Sequence, residues 1–191
     1  AVYGKEDLGY DMESEIRSIQ PYQLLEDESG NRVKDYAKFN IVKNQELMEQ
    51  GYKDYGFNIL DEADLANNKT SKFGVRTKVG LDVTILDGLQ INMDYQYERI
   101  HSKNTNLRDE ESYYVRDLLN YMTSVENGKL VNHLPMGDIL DVTNTDLTAH
   151  ALKVGGILNR VFGKEGEHYV NVVGGFELRK RTSESSSYRR L

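Results

Sequence analysis

The chain has 191 residues, a net charge of −7 and a pI near 5.2, so it lacks the basic surplus that general nucleic-acid binding needs to neutralise phosphates. The absence of cysteine excludes disulfides and thiolate metal sites. Two prolines, sixteen glycines, thirteen tyrosines and no tryptophan fit a sheet-rich chain, long enough for an ordinary core in one or two domains.

Ala1 to Glu15 reads as irregular and polar, and Ala1-Val2-Tyr3-Gly4 has no signal-peptide character. Gln20 to Tyr36 predicts a short hairpin turning at Ser29-Gly30-Asn31. Asn44 to Gly51 has good helix formers and a glycine stop, so a short helix is expected. Tyr55 to Thr70 reads as loop.

From Phe73 to Ile100 the pattern changes to strict alternation. Phe73, Val75, Thr77, Val79, Leu81, Val83 and Ile85 share one face of the first arm; Leu89, Ile91, Met93, Tyr95 and Tyr97 share one face of the second. Gly74, Arg76, Lys78, Gly80, Asp82 and Thr84 alternate with the first set, and Gln90, Asn92, Asp94, Gln96 and Glu98 with the second. A two-residue Asp87-Gly88 loop would mix these faces. A three-residue Leu86-Asp87-Gly88 loop, with Gly88 left-handed, pairs Ile85 with Leu89, Leu81 with Met93 and Arg76 with Glu98. The ten steps from Val75 to Ile85 span about 33 Å, which a tilt near 45° reduces to roughly 24 Å of height. That matches the apolar band of an outer-membrane barrel, about 25 Å tall. No run of apolar residues is long enough for a membrane-crossing helix, but barrel strands need only about 9–11 alternating residues.

His101 to Leu147 lacks long alternation. Val115, Leu118, Leu119 and Met122 predict a short helix, and a small hairpin or ordered turn is expected at Pro135-Met136-Gly137. A second long hairpin runs from Thr148 to Phe162 and back from His168 to Thr182, through a polar turn at Gly163 to Glu167. Pairing Leu158 with Gly174 and Gly156 with Phe176 keeps its apolar faces together, with Asn171, Glu177 and Arg179 on the other side. Tight turns at one end and long connections at the other are the asymmetry of outer-membrane barrels. Four long strands cannot close a barrel, whose smallest form has about eight, so the chain is expected to be a fragment of a larger protein.

Four scattered histidines (His101, His133, His150 and His168) show no metal-binding spacing, and no nucleophile elbow or phosphate loop occurs. Asp27, Ser29 and Asn31 imitate the start of a calcium loop, but Arg32 replaces the required glycine, and a hairpin turn is favoured. Asp138, Asp141 and Asp146 are read as solvated loop acids in preference to a calcium site. No cofactor, metal or catalytic residue is expected, and the chain is not read as an enzyme.

The blocks "PYQLLEDESGN", "NKTSKFGVRTKVGLDVTILDGLQINMDYQYER", "ESYYVRDLLNYMT", "LPMGDILD" and "LNRVFGKEGEHYVNVVGGFELR" follow one another over roughly Ser18 to Arg179. In this order they resemble the barrel of SusC/RagA-like TonB-linked outer-membrane transporters of Bacteroidetes-type bacteria. The resemblance implies an all-β, mainly antiparallel fold of long hairpins within a 22-strand transmembrane β-barrel, with a short helix in an extracellular loop. In that reading the whole chain belongs to one barrel domain: residues 1–72 and 101–147 are extracellular loop regions, and 73–100 and 148–182 are membrane hairpins. Arg76, Lys78, Asp82, Gln90, Asn92, Asp94, Gln96 and Glu98 would line the lumen, with Phe73, Tyr95 and Tyr97 at the outer end of the lipid face. Tyr113, Tyr114 and Tyr121 are candidates for ligand or lid contacts, with packing at the barrel rim as the plainer use of the same rings. The implied function is TonB-dependent uptake of large nutrients, oligosaccharides or peptides, across the bacterial outer membrane. The implied partners are a SusD-like surface lipoprotein, the TonB system acting through parts outside this chain, and the lipid bilayer. The rival reading is a soluble β-sandwich or adhesin-like binding module, whose apolar faces would meet each other.

Overall fold

A computed structural model describes residues 1–19, 22–163 and 166–191. The first two residues of the expected Gln20–Tyr36 hairpin, and Lys164 and Glu165 of the expected turn, lie outside the described residues. In chain order the elements are β1 (Val2–Asp7), α1 (Met12–Ser18), α2 (Ile41–Glu49), α3 (Ile59–Leu65), β2 (Asn67–Leu86), β3 (Leu89–Arg108), α4 (Tyr113–Tyr121), β4 (Thr123–Glu126), β5 (Lys129–Asn132), β6 (Ile139–Phe162) and β7 (His168–Arg190). The fold is mostly antiparallel β with few helices. One sheet has the order β1-β2-β3-β6-β7, and β4 and β5 form a separate pair.

The chain divides into two compact units. A sheet unit comprises residues 1–4, 71–102 and 144–186; a helix–loop unit comprises 5–70, 103–143 and 187–191.

In the sheet unit, the β2–β3 turn has a left-handed Gly88, φ +87°, while Asp87 is not left-handed. A two-residue type I′ turn would need both residues left-handed; the bulged three-residue loop needs only the glycine. A side chain at Gly88 would also overlap the Asn159 carbonyl, because Asn159 N donates to Gly88 O at 2.7 Å. Gly74 lies beside Ile100, Gly80 beside Asp94, and Arg76 Nη2 is 2.7 Å from Glu98 Oε1, all in the register that keeps apolar and polar faces apart. The β6–β7 register differs from the expected one by two residues. Thr143 faces Ser187 (2.9 Å), Thr145 faces Ser185 (3.3 Å), and Asn171 Nδ2 donates to Asn159 Oδ1. Leu158 therefore lies opposite Val172, and Gly156 opposite Gly174. The cause is close approach: a Cβ on Gly175 would meet Val154 O and Gly155 Cα, so these glycines stack against each other across the pair. A two-residue shift preserves the faces, which is why alternation alone did not detect it.

Among the described residues, the buried apolar side chains all lie in the helix–loop unit: Ile59, Val115, Leu119, Ile139 and Val142. Helix α4 sets this core with Val115 and Leu119, against Ile139, Leu118 and Leu134. Met122 of the expected stripe stays partly exposed because the helix ends at Tyr121.

Several expectations are corrected here. The start of the chain is not irregular, since it forms β1 and α1. The Gln20–Tyr36 stretch turns where expected, with Glu26 bridged to Arg32, but its described residues build no regular strand; Asp35 instead pairs with Phe57. Helix α2 starts three residues earlier than expected because Asn40 caps it, accepting from Lys43 N at 2.8 Å. Tyr55 to Thr70 contains α3, capped by Asn58 and followed by Asp61 and Glu62 in its first turn. The small hairpin turns at Asn127-Gly128, both left-handed (φ 52° and 76°), and not at Pro135-Met136-Gly137. Strands β2 and β3 start earlier and end later than Phe73 and Ile100, β6 begins at Ile139, and β7 continues through the serine-rich end.

Candidate functional site

The sheet unit presents two unlike faces. On one, Val79, Leu81, Met93 and Tyr95 are 62, 58, 42 and 43% exposed, and Val172, Phe176 and Leu178 extend the same apolar surface. No described residue of this unit is buried. Towards one end of this face the aliphatic residues give way to rings: Tyr95 Oη is 2.8 Å from His150 Nδ1, and the Tyr97 ring is 5.2 Å from that of His150. Phe73 on β2 is also exposed. Beyond them His101 Nδ1 lies 3.1 Å from Asp146 Oδ1, with Arg99 at 3.9 Å from the same oxygen.

The opposite face is polar and laddered by ion pairs. Arg76 meets Glu98 (2.7 Å), Lys78 meets Asp94 (3.1 Å), and Glu177 takes Lys153 (3.7 Å) and Arg179. Gln96, the expected partner, is the residue directly opposite Lys78 in this register, and Asp94, which takes the ammonium, is one diagonal step away. Around this ladder lies a hollow of about 350 Å³ whose walls include Gln96, Ala149, Ala151 and Arg181. Asp82, Gln90 and Asn92 belong to a second hollow nearer the β2–β3 turn, where Gly155 leaves just enough room for the Asn92 side chain. The structure thus places all eight expected polar-face residues on one side of β2 and β3. Lys153, Ala149, Ala151 and Arg181, which join them from β6 and β7, were missed; the alternation of the second hairpin carried that signal.

The helix–loop unit is organised by polar groups. Arg116 Nη1 and Nη2 donate to the carbonyls of Asp54 (2.8 Å) and Gly56 (2.9 Å). One turn later Asn120 clamps Lys53, accepting from its N–H at 2.7 Å and donating to its carbonyl at 2.8 Å. Asp54 receives Lys34 Nζ (2.8 Å), Asn44 Nδ2 (3.0 Å) and Gly56 N (2.8 Å). Burial alone would raise the Asp54 carboxyl, yet Lys34 and these donors hold it below its ordinary value. Glu62, buried, caps α4 by accepting from Tyr113 N at 2.6 Å, and its burial pushes its carboxyl up. Tyr10 is pushed up to about 12 by burial and by nearby Glu15, Glu62 and Asp11. Asp141 is held low by a bidentate Arg189 (2.7 and 2.9 Å) and by Arg108 (3.3 Å).

The three candidate tyrosines have different settings. Tyr113 packs edge-on against Phe57, with ring centroids 5.5 Å apart. Tyr114 stacks under Arg108 (4.4 Å), and its hydroxyl accepts from Arg189 (2.9 Å). Tyr121 is 81% exposed. The loop acids are each engaged separately: Asp138 accepts from Glu110 N (3.0 Å), Asp141 holds its arginines, and Asp146 pairs with His101. Asp27 forms the favoured hairpin turn, accepting from Ser29 N and Asn31 N, each at 2.8 Å. Among the described residues no three carboxylates or histidines gather as a metal site, and no helix is long and apolar enough to cross a membrane, a criterion that does not bear on barrel strands.

No protein-family model matches the chain, and no curated protein matches it.

Proposed function

We propose that this chain is part of the wall and the extracellular loops of a transmembrane β-barrel in the bacterial outer membrane. In this reading the barrel is a SusC/RagA-like, TonB-dependent transporter that takes up large nutrients, oligosaccharides or peptides. The single observation that carries the proposal is the sheet unit with no buried side chain among its described residues, apolar on one face and ion-paired on the other. A face of Val, Leu, Met and Phe left open is stable only where something apolar covers it, and acyl chains cover a whole face evenly. The ladder of charges then meets water in the lumen, and the Tyr95, Tyr97 and His150 cluster takes the position of an interfacial aromatic girdle. The chain does no catalysis in this reading. A surface lipoprotein of SusD type would close the mouth, and TonB would act through parts outside this chain.

Cysteine scanning tests this directly, because the chain has no cysteine of its own. Bimane labels at Leu81, Met93 and Leu152 in the whole protein, reconstituted with brominated acyl chains, should be strongly quenched. Labels at Arg76, Asp94 and Lys153 should not be. Equal quenching of the two sets, or recovery of the protein in the soluble fraction of cells, overturns the proposal in favour of a sandwich-like module.

A further inference from the structure

We infer that the hollow over Ala149 and Ala151 is a subsite for an acidic sugar unit of the cargo, with the Arg181 guanidinium taking its carboxylate. The inference rests on the reading that this face lines a transport lumen. Its physical basis is the charge left over after internal pairing. Each acid in the hollow is already neutralised: Glu98 by Arg76 at 2.7 Å, Asp94 by Lys78 at 3.1 Å, and Glu177 by Lys153 at 3.7 Å and by Arg179. Arg181 has no ion pair or hydrogen bond with any described residue, although the chain as a whole carries a net charge of −7.

The space beside it is made by sequence. In the β6–β7 register set by Thr143–Ser187 and Thr145–Ser185, Ala149 lies opposite Arg181 and Ala151 opposite Arg179. Two methyl groups there leave the guanidinium fork uncovered and open a volume of about 350 Å³, within the range of small-molecule sites. A planar fork of this kind matches a carboxylate with two parallel hydrogen bonds. The remaining walls favour a sugar over a peptide. Apart from the alanine methyls and the His150 ring they offer Gln96 and charged groups, which bond to hydroxyls and give apolar peptide side chains little to pack on.

The test is equilibrium binding to the whole purified protein at low salt, with tetragalacturonate, maltotetraose, monomeric galacturonate and tetraglutamate as probes. Tetragalacturonate should bind most tightly, and Arg181→Gln should weaken it about tenfold or more, the usual effect of losing a charge-assisted pair. Maltotetraose binding should not respond to that change. Ala149→Glu, which supplies Arg181 with an internal carboxylate, should produce the same loss from the neighbouring strand and keeps the test informative if Arg181→Gln fails to assemble. Absence of tetragalacturonate binding, equal binding of the acidic and neutral oligomers, or indifference to both substitutions overturns the subsite. Galacturonate binding as tightly as its tetramer, or tetraglutamate alone depending on Arg181, overturns the assignment to an oligosaccharide. The quenching experiment reports separately on the lumen: a correctly inserted protein indifferent to Arg181 removes only the subsite, whereas a soluble protein removes both readings.

Discussion

Arg116→Ala provides the sharpest test of how the helix–loop unit is held. The side chain is buried, its Nη atoms donate to two carbonyls at 2.8 and 2.9 Å, and Nη1 lies 3.6 Å from Asp54 Oδ2. Hydrogen bonds from a charged donor contribute about 1.5–3 kcal/mol each. Truncation removes both and weakens the compensation of the half-buried Asp54 carboxylate, while the cavity admits water that returns part of the loss. The net cost should be about 3 kcal/mol, the lower part of the range for breaking a buried pair. Hydrogen exchange on the whole protein reads this locally. The amides of Lys53, Tyr55 and Gly56 are bonded to Asn120, Asn44 and Asp54, and all depend on the same loop conformation. Their exchange should accelerate about a hundredfold, the factor that such a change in opening free energy implies. Asn120→Ala, which removes two neutral bonds to Lys53, should accelerate it about tenfold. Acceleration by less than about threefold in Arg116→Ala would show that the 53–56 segment is held by packing and that the argument from hydrogen bonds is wrong.

Two further outcomes are expected. Asp54 and Asp141 are held below their ordinary 3.8, so the stability they add is complete above that value and is lost as pH falls through their folded values. Glu62 works in the opposite direction: its raised value means that the folded state keeps a proton the unfolded chain releases, so stability falls as pH rises from 4.5 through that value. Exchange rates across the helix–loop unit as a function of pH should show both slopes, and Glu62→Gln should remove only the upper one; an unchanged upper slope would sink the assignment. On the sheet unit, Leu81→Arg should cost about 2–4 kcal/mol in a bilayer, while Gln96→Arg on the polar face should cost little. Urea unfolding of the reconstituted protein decides this, and equal costs would contradict the lipid-facing assignment.

The sheet was legible because alternation over Val75 to Ile85 and Leu89 to Tyr97 leaves one register in which faces agree, and Gly88 could only sit where a left-handed residue is needed. The second hairpin was half legible. Its faces were set by the same rule, but a shift of two residues leaves faces intact, and the contact that chose between registers was Gly155 against Gly175. Strand ends were hidden for a related reason. From Ser102 to Asn106 and from Ser183 to Ser187 both faces are polar, so no period shows even though the backbone ladder continues. Helix α3 and the Asn127-Gly128 hairpin were missed although their local signals were present: a capping asparagine before two acids in one case, and a turn-forming dipeptide in the other. The Arg116, Asn120 and Asp54 cluster was out of reach. Its partners are about sixty residues apart and are mostly backbone carbonyls, which carry no residue identity.

The two units are stabilised by different means, and that difference constrains what surrounds the chain. Among the described residues of the helix–loop unit, five apolar side chains are buried and the polar groups buried with them are bonded to named partners, leaving only Arg116 Nε unsatisfied. Such a unit can persist in water. The sheet unit has strand ladders and ion pairs but no buried side chain among its described residues, and exposed pairs contribute about 0–1 kcal/mol each. Backbone ordering costs about 1–2 kcal/mol per residue, which hydrogen bonds exchanged with water do not offset. A long sheet in that condition is unstable in water by itself, since apolar burial is the main favourable term in folding. On the proposed reading, acyl chains supply the missing burial across the face from Phe73 to Tyr97 and from Leu152 to Leu178. A second protein layer would need matching alternation over the same length, and the only other sheet described is the two-stranded β4–β5 pair. A bilayer needs no such match, and it accepts valine, leucine, methionine and phenylalanine in any order, with the tyrosines at its edge.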